Sequence, residues 1–188
     1  MAGAAFGYIN PMRRPTILRR LRVSSRPGTR SQGWLAAGPW RIPVALGRTG
    51  IRANKREGDG GTPRGEFGLV RLWWRADRHP RPRSLLPIRR IGRETAWCED
   101  PADRRYNRPL RLAADAAGDR LWRDDHLYDF IVELDHNTWP RVAGRGSAVF
   151  IHVVRSGFRP TAGCVALALP RLRCLLARLG PKTRIVID

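Results

Sequence analysis

Apolar and polar positions in this chain alternate over short runs, and glycine or proline separates one run from the next. Thr16 to Ser24 (T-I-L-R-R-L-R-V-S) alternates in part and predicts a first strand ending at the Arg26-Pro27-Gly28 turn. Gly33 to Gly38 and Trp40 to Leu46 predict further short strands, and Phe67 to Trp74 another. Gly47 to Gly61, rich in glycine and charge, reads as a loop, and Arg75 to Arg93, rich in proline and arginine, as an exposed excursion. A strand is expected over Asp129 to Leu134; an early start would put His126 and Tyr128 on one face. Ala148 to Val154 has the β-branched and aromatic composition of a buried strand. Its alternation directs Val149, Ile151 and Val153 one way and Phe150 and His152 the other. Val165 to Leu167 is a short strand. Pro170 then suits the first turn of a helix whose stripe is Leu172, Leu175, Leu176 and Leu179. Gly180 and Pro181 end it, and Thr183 to Ile187 is a last strand.

So strand-dense a pattern, with one or two helices, predicts a mainly β domain, either a sandwich or a partly closed barrel. Residues 1–15 read as a basic, poorly ordered arm, and 16–188 as one domain of a length able to bury a proper core. The net charge of +20 comes almost wholly from arginine, Lys55 and Lys182 being the two lysines. Such a balance suits an acidic partner, but the arginines are scattered through strands and loops rather than gathered in a stripe, which disfavours nucleic acid. No run of eighteen apolar residues is present, so no membrane span is expected, and residues 1–10 lack the charge-then-apolar order of a secretory signal. Cys98, Cys164 and Cys174 are odd in number and without C-x-x-C spacing, which argues against a zinc site or a disulfide framework.

The candidate chemistry lies in Gly146 to Leu167. His152 ends an apolar strand, and Cys164 follows twelve positions later, after a loop turned by Gly157 and Pro160. If the loop returns Thr161-Ala162-Gly163-Cys164 beside the strand end, thiol and imidazole meet, and the imidazole would raise the thiolate fraction at neutral pH. Taken singly, a cysteine is commonly buried filler and a histidine commonly structural. Gly163 adds specificity to the pair, because a glycine there permits the tight turn that aims backbone N–H groups at an oxyanion. Cys98, beside Glu99 and Asp100, lacks such help, and Cys174 lies off the leucine stripe and reads as structural. His79, His126 and His136 sit in polar surroundings that assign them no chemistry.

Thr161-x-Gly163-Cys164 after a strand histidine resembles the signature of the L,D-transpeptidase (YkuD-type) catalytic domain, which carries an upstream His and then Ser/Thr-His-Gly-Cys. Thr62-Pro63-Arg64-Gly65-Glu66-Phe67 is similar to the family's T-P-x-G-x-F segment, and the resemblance runs from about Thr16 to the C-terminus. The family's histidine before Gly-Cys is Ala162 here, and its arginine two places after the cysteine is Ala166. Gly-Cys-Val-Ala-Leu thus resembles a divergent proteobacterial branch, in which some members crosslink through L-alanine at stem position 1 instead of the third residue.

The resemblance implies a peptidoglycan enzyme with Cys164 as nucleophile, His152 as base, Gly163 in the oxyanion backbone and Thr161 as an orienting hydroxyl. It needs no metal or organic cofactor, and peptidoglycan stem peptides are its partners. Arg155 and Arg159 are the nearest cations to replace the missing arginine. Trp97-Cys98-Glu99-Asp100-Pro101 with Tyr106-Asn107-Arg108 is implied to be the substrate side, so Tyr106, Asn107 and Tyr128 join the expected binding set. The implied reaction is acyl transfer to the amine of diaminopimelate, in the periplasm or wall. The alternatives are hydrolysis at the same site and, from another class, a basic nucleic-acid-binding β-domain with an inert cysteine.

Overall fold

The computed structural model describes residues 16–113 and 119–188; the expected basic arm over 1–15 lies outside them. The first three strands, β1 (Arg20–Arg26), β2 (Thr29–Ala37) and β3 (Trp40–Ala45), form an antiparallel meander. Its two turns place Gly28 and Gly38 at φ +80° and +61°, where a side chain would be strained. In β1 the alternation is clean: Leu21 and Val23 are buried, while Arg20 and Arg22 face out and pair with Glu66 and Asp188. β4 (Ile51–Arg52) and β5 (Thr62–Pro63) form a small parallel pair that pins the ends of the loop between them.

β6 (Gly65–Trp74) is the hinge of the architecture, and β7 (Ile88–Arg90) runs parallel along its far end. Its first half pairs with β14 (Arg184–Ile187) and its second with β11 (Phe130–Leu134). β11 pairs with β12 (Phe150–Val153), β12 runs parallel to β13 (Val165–Leu167), and β13 meets β3 through Ala166 and Ala45. β14 lies parallel to β1, which closes the ring. The sheet is therefore a closed, mixed, eight-stranded barrel with β7 as an added strand, and closure removes the edges that an open sheet leaves unpaired. The single α-helix among the described residues, α1 (Leu169–Leu176), starts at Leu169 with Pro170 in its first turn and buries Leu172, Leu175 and Leu176.

Alternation along β11 and β12 separates two apolar clusters. Val132, Ile151 and Val153 join the large aliphatic core with Leu21, Leu35 and the helix leucines. Ile131 and Phe150, on the other face, join Trp73, Ile91, Trp97, Leu121, Ala148 and Cys164. A three-stranded sheet of β8 (Thr95–Trp97), β9 (Pro109–Arg111) and β10 (Asp119–Arg120) covers this second cluster. Trp97 meets Phe150 edge to face at 5.0 Å, a geometry worth about 0.5–1.5 kcal/mol beyond area burial.

The excursion expected over Arg75 to Arg93 is not wholly exposed. It contributes β7, and Leu86 and Ile91 are buried in the two clusters. The strand expected from Asp129 begins at Phe130, and His126 lies in the preceding turn at φ +62°, so His126 and Tyr128 do not share a strand face. The strand expected from Ala148 begins at Phe150, because Ala148 itself has φ +51° and leaves the ladder.

Thr62 is fully buried, and its Oγ1 accepts the Gly47 N–H at 2.8 Å. Thr62→Val would keep the shape and leave the buried Gly47 N–H without its acceptor. Urea unfolding should show a loss of about 1–3 kcal/mol, with Thr62→Ser much nearer the parent protein. Equal stability of all three would show that the bond carries no weight.

Candidate active site

The parallel ladder between β12 and β13 sets the site. Its register pairs Ile151 with Val165 and His152 with Ala166. Side chains two apart share a face, so Cys164, just before β13, stands on the face of Ala166 and His152. The connection from Val154 to Gly163 makes the return through a single 3-10 turn at Ser156–Phe158, with Gly157 at φ +73°. Cys164 and His152 thus open onto one cleft of about 510 Å³, whose walls also carry Tyr128, Arg155, Arg159, Thr161 and Ala166.

Cys164 is 7% exposed. Its thiol donates to the Ala148 carbonyl at 3.2 Å, and its sulfur accepts the Phe150 N–H at 3.4 Å. Burial, with the charges of Glu99 and Asp119 adding to it, pushes the thiol up to about 12. His152 is 6% exposed and donates from Nδ1 to the Val153 carbonyl at 2.8 Å, leaving Nε2 as the basic nitrogen on the cleft side. Burial lowers its imidazole to about 4. Burial thus favours a neutral thiol and a neutral imidazole in the resting site. This corrects the expectation of a thiolate populated near neutrality: an ion pair would have to be desolvated, and Sγ–H has a backbone acceptor of its own.

The loop before the thiol is held by its own hydroxyl. Thr161 Oγ1 donates to the Cys164 carbonyl at 2.7 Å and accepts the Gly163 N–H at 3.1 Å. Thr161 is tied in turn to the barrel, its N–H to Leu46 O at 2.9 Å and its carbonyl to Arg48 N at 3.0 Å. Gly163 has φ +149°, and a Cβ there would lie 2.8 Å from Gly61 O; no larger residue fits without moving backbone. Thr62 holds Gly47 next to this contact, which gives the T-P-x-G-x-F segment a concrete place under the nucleophile loop. Gly163's N–H is already engaged, so its part is the turn itself and the oxyanion donor expected of it is not free.

Of the expected binding residues, Arg155, Arg159 and Tyr128 line the cleft. The Tyr128 ring packs edge to face on His152 at 5.4 Å, and burial raises its phenol well above the ordinary value, so it stays a donor. Tyr106 and Asn107 lie elsewhere. Tyr106 is buried and donates to Glu57. Asn107, buried at φ +54°, donates to the carbonyls of His136 and Asn137 at 3.1 and 2.9 Å. Its Oδ1 accepts Trp97 Nε1 and the Ala148 N–H, both at 3.1 Å. With every polar atom of its side chain engaged, Asn107 has none left for a ligand; it fixes the Ala148 peptide whose carbonyl holds Cys164.

Other residues of the site emerge in three dimensions, and Glu99 among them belongs to the segment implied to be the substrate side. Arg48, Arg123, Glu99 and Asp119 line the cleft, and Lys55, buried and paired with Asp59 at 2.6 Å, runs beneath Gly163. Only loop charge hinted at the others. Cys98 is buried and its thiol raised, first by that burial. Cys174, expected to be structural, is exposed beside a separate cleft of about 550 Å³ that holds no histidine. His126 and His79 both bond Asp129, away from the thiol. Among the described residues no cluster of metal-ligating side chains occurs, and no helix is long and apolar enough to cross a membrane. A nucleophilic thiol, a bare imidazole nitrogen and a donor phenol in one cleft suit acyl transfer through a thioester.

Among curated proteins, none matches the chain. A solved L,D-transpeptidase from Mycobacterium smegmatis superposes with a TM-score of 0.43 and 13% identity, over 89% of this chain and 58% of its own length. The chain thus spans under two thirds of that protein. The sequence model of the L,D-transpeptidase catalytic domain (YkuD) matches residues 31–187, nearly the entire barrel together with the Thr62-Pro63 and Gly163-Cys164 segments. The chain belongs to the L,D-transpeptidase catalytic domain family.

Proposed function

We propose that the protein is a peptidoglycan L,D-transpeptidase in which Cys164 carries the acyl group and His152 moves the protons. The observation that carries this reading is the cleft itself: a hydrogen-bonded thiol and a histidine with its basic nitrogen bare stand on adjacent strands of one wall. Cys164 Sγ attacks the carbonyl of a donor stem peptide while its proton passes to His152 Nε2, and the imidazolium gives that proton to the leaving amine as the peptide C–N bond breaks. Since the thiol rests neutral, proton removal and attack go together, once substrate has displaced water. The oxyanion is met by the Cys164 amide and the Tyr128 hydroxyl; one such donor is worth about 3 kcal/mol of barrier.

The amine of diaminopimelate on a second stem then takes the acyl group. Ala162 and Ala166 leave room where the family carries larger side chains, and Arg155 and Arg159 supply positive charge for a donor carboxylate. The crosslink joins position 1 to position 3 or position 3 to position 3, according to which carbonyl the donor presents. An enzyme of this kind works in the periplasm or wall.

Incubation with disaccharide tripeptides and tetrapeptides should yield an acyl adduct on Cys164 by intact-protein mass spectrometry, followed by crosslinked dimers. Cys164→Ala should abolish both. Shortened monomers alone, still dependent on Cys164, would replace transfer with hydrolysis.

Alkylation tests the resting protonation state. A thiol near 12 ionises by roughly tenfold per pH unit throughout the neutral range. Iodoacetamide labelling of Cys164, read peptide by peptide, should therefore climb steadily from pH 6 to 9 without a plateau, and Cys174 should label first because it is exposed. A plateau near neutrality that His152→Ala removes would restore the thiolate–imidazolium pair.

A further inference from the structure

In a chain of net charge +20, a carboxylate without a partner is an anomaly. Among the described residues, the aspartates and glutamates are held by arginine or lysine, or accept a hydrogen bond as Glu57 and Asp100 do. Glu99 and Asp119 alone have neither a close ion pair nor a hydrogen bond, Lys55 and Arg123 acting on them only from beyond contact. Both line the cleft of Cys164. The small covering sheet brings them there: Asp119 pairs across from Trp97, and Glu99 follows Trp97 by two positions, on the same face.

Their placement works against the chemistry of the thiol. Both charges disfavour a thiolate at Cys164, which adds to the cost of burial. They are themselves uncomfortable: the cleft walls and the nearby Asp119 and Glu57 push the Glu99 carboxyl up to about 7, and burial raises Asp119. A second observation points to what resolves this. His152, more than nine-tenths buried, lines the same cleft with Nδ1 engaged and no partner on Nε2, so a proton acceptor stands in the same cleft as the carboxylates.

We infer that Glu99 and Asp119 form the subsite for the ammonium group of the acceptor, which rests on the reading of the protein as a transferase. The ammonium settles against the two carboxylates and loses one proton to Glu99, the more accessible of the pair. The free amine attacks the thioester carbonyl, its second proton passes to His152 Nε2, and the C–N bond forms. As the C–S bond breaks, the departing thiolate takes the proton from His152, and Glu99 returns its own to water. A cationic acceptor brings its positive charge directly against these two carboxylates and so offsets the negative charge that opposes the leaving thiolate. Water brings no charge, so the same pair biases the thioester toward transfer over hydrolysis. Arg155 and Arg159, which line the same cleft, remain for the donor's carboxylate.

Two measurements on the full chain test this. In the first, Glu99→Gln and Asp119→Asn proteins are given disaccharide stem peptides, and dimers and hydrolysed monomers are counted alongside the rate of Cys164 acylation. The ratio of dimer to hydrolysed product should fall about tenfold or more in each variant, with Glu94→Gln, outside the cleft, matching the parent. An unchanged ratio overturns the subsite. So does a fall in acylation with the ratio intact, since the carboxylates would then hold the donor. In the second, Cys164→Ser protein is titrated calorimetrically with a tripeptide ending in meso-diaminopimelate and with its side-chain N-acetyl derivative. Glu99→Gln in that background should weaken the free-amine peptide about tenfold and leave the acetylated one unchanged. Equal weakening of both peptides, or of neither, overturns the subsite even if the parent protein proves to be a hydrolase. Absence of dimers from the parent protein, with amine-dependent binding intact, would remove the transferase reading and leave the cation subsite standing.

Discussion

The parallel pairing of β12 with β13 is the constraint on which the rest depends. Parallel neighbours need a crossover, and here ten residues supply it without a helix, from Val154 to Gly163. A one-residue slip in that ladder would turn Cys164 into the aliphatic core and leave His152 facing Val165's side of the sheet. The register is protected from both sides. Ile151, Val153, Val165 and Leu167 are locked in the main core, and Thr161 staples the loop to Leu46 and Arg48 at the mouth of the barrel. Only glycine fits at position 163, because a Cβ there would come within 2.8 Å of Gly61 O.

Burial then decides the electrostatics. Cys164 and His152 lie in the same desolvated wall, and desolvation disfavours both the thiolate and the imidazolium. Coulomb attraction within a pair has to exceed two such penalties before an ion pair forms. In this cleft the unpartnered carboxylates of Glu99 and Asp119 weigh against the thiolate as well. The backbone therefore holds the two groups in neutral, oriented forms, with Ala148 O on the thiol and Val153 O on the imidazole.

Where side chains alone set the structure, the sequence was easy to read. Leu172, Leu175 and Leu176 of α1 and the alternation of Val149 to Val153 appear in three dimensions as their periodicity requires, because each is dictated by which face meets apolar neighbours, although α1 ends at Leu176 and Leu179 is buried beyond it. The barrel's closure was less legible, since it depends on β6 changing partners midway from β14 to β11. Ala148 carried no signal at all: alanine does not announce a positive φ, and only Asn107's bond to its N–H accounts for the geometry. Tyr106 and Asn107 were sound polar candidates on a loop, yet composition cannot say which side of a loop faces a cleft. Glu99 and Asp119 are twenty positions apart and meet only through the pairing of β8 with β10.

The account stands on the claim that the resting nucleophile and base are both uncharged. Nitrogen-15 chemical shifts of His152 in the histidine-labelled protein read this directly. They should report a proton on Nδ1 and a bare Nε2 from pH 9 down to about 4, the value to which burial lowers the ring, with no change in Cys164→Ser. An imidazolium at pH 7 that becomes neutral when Cys164 is replaced by serine would contradict it, and would mean that the thiolate and imidazolium are paired before any substrate arrives.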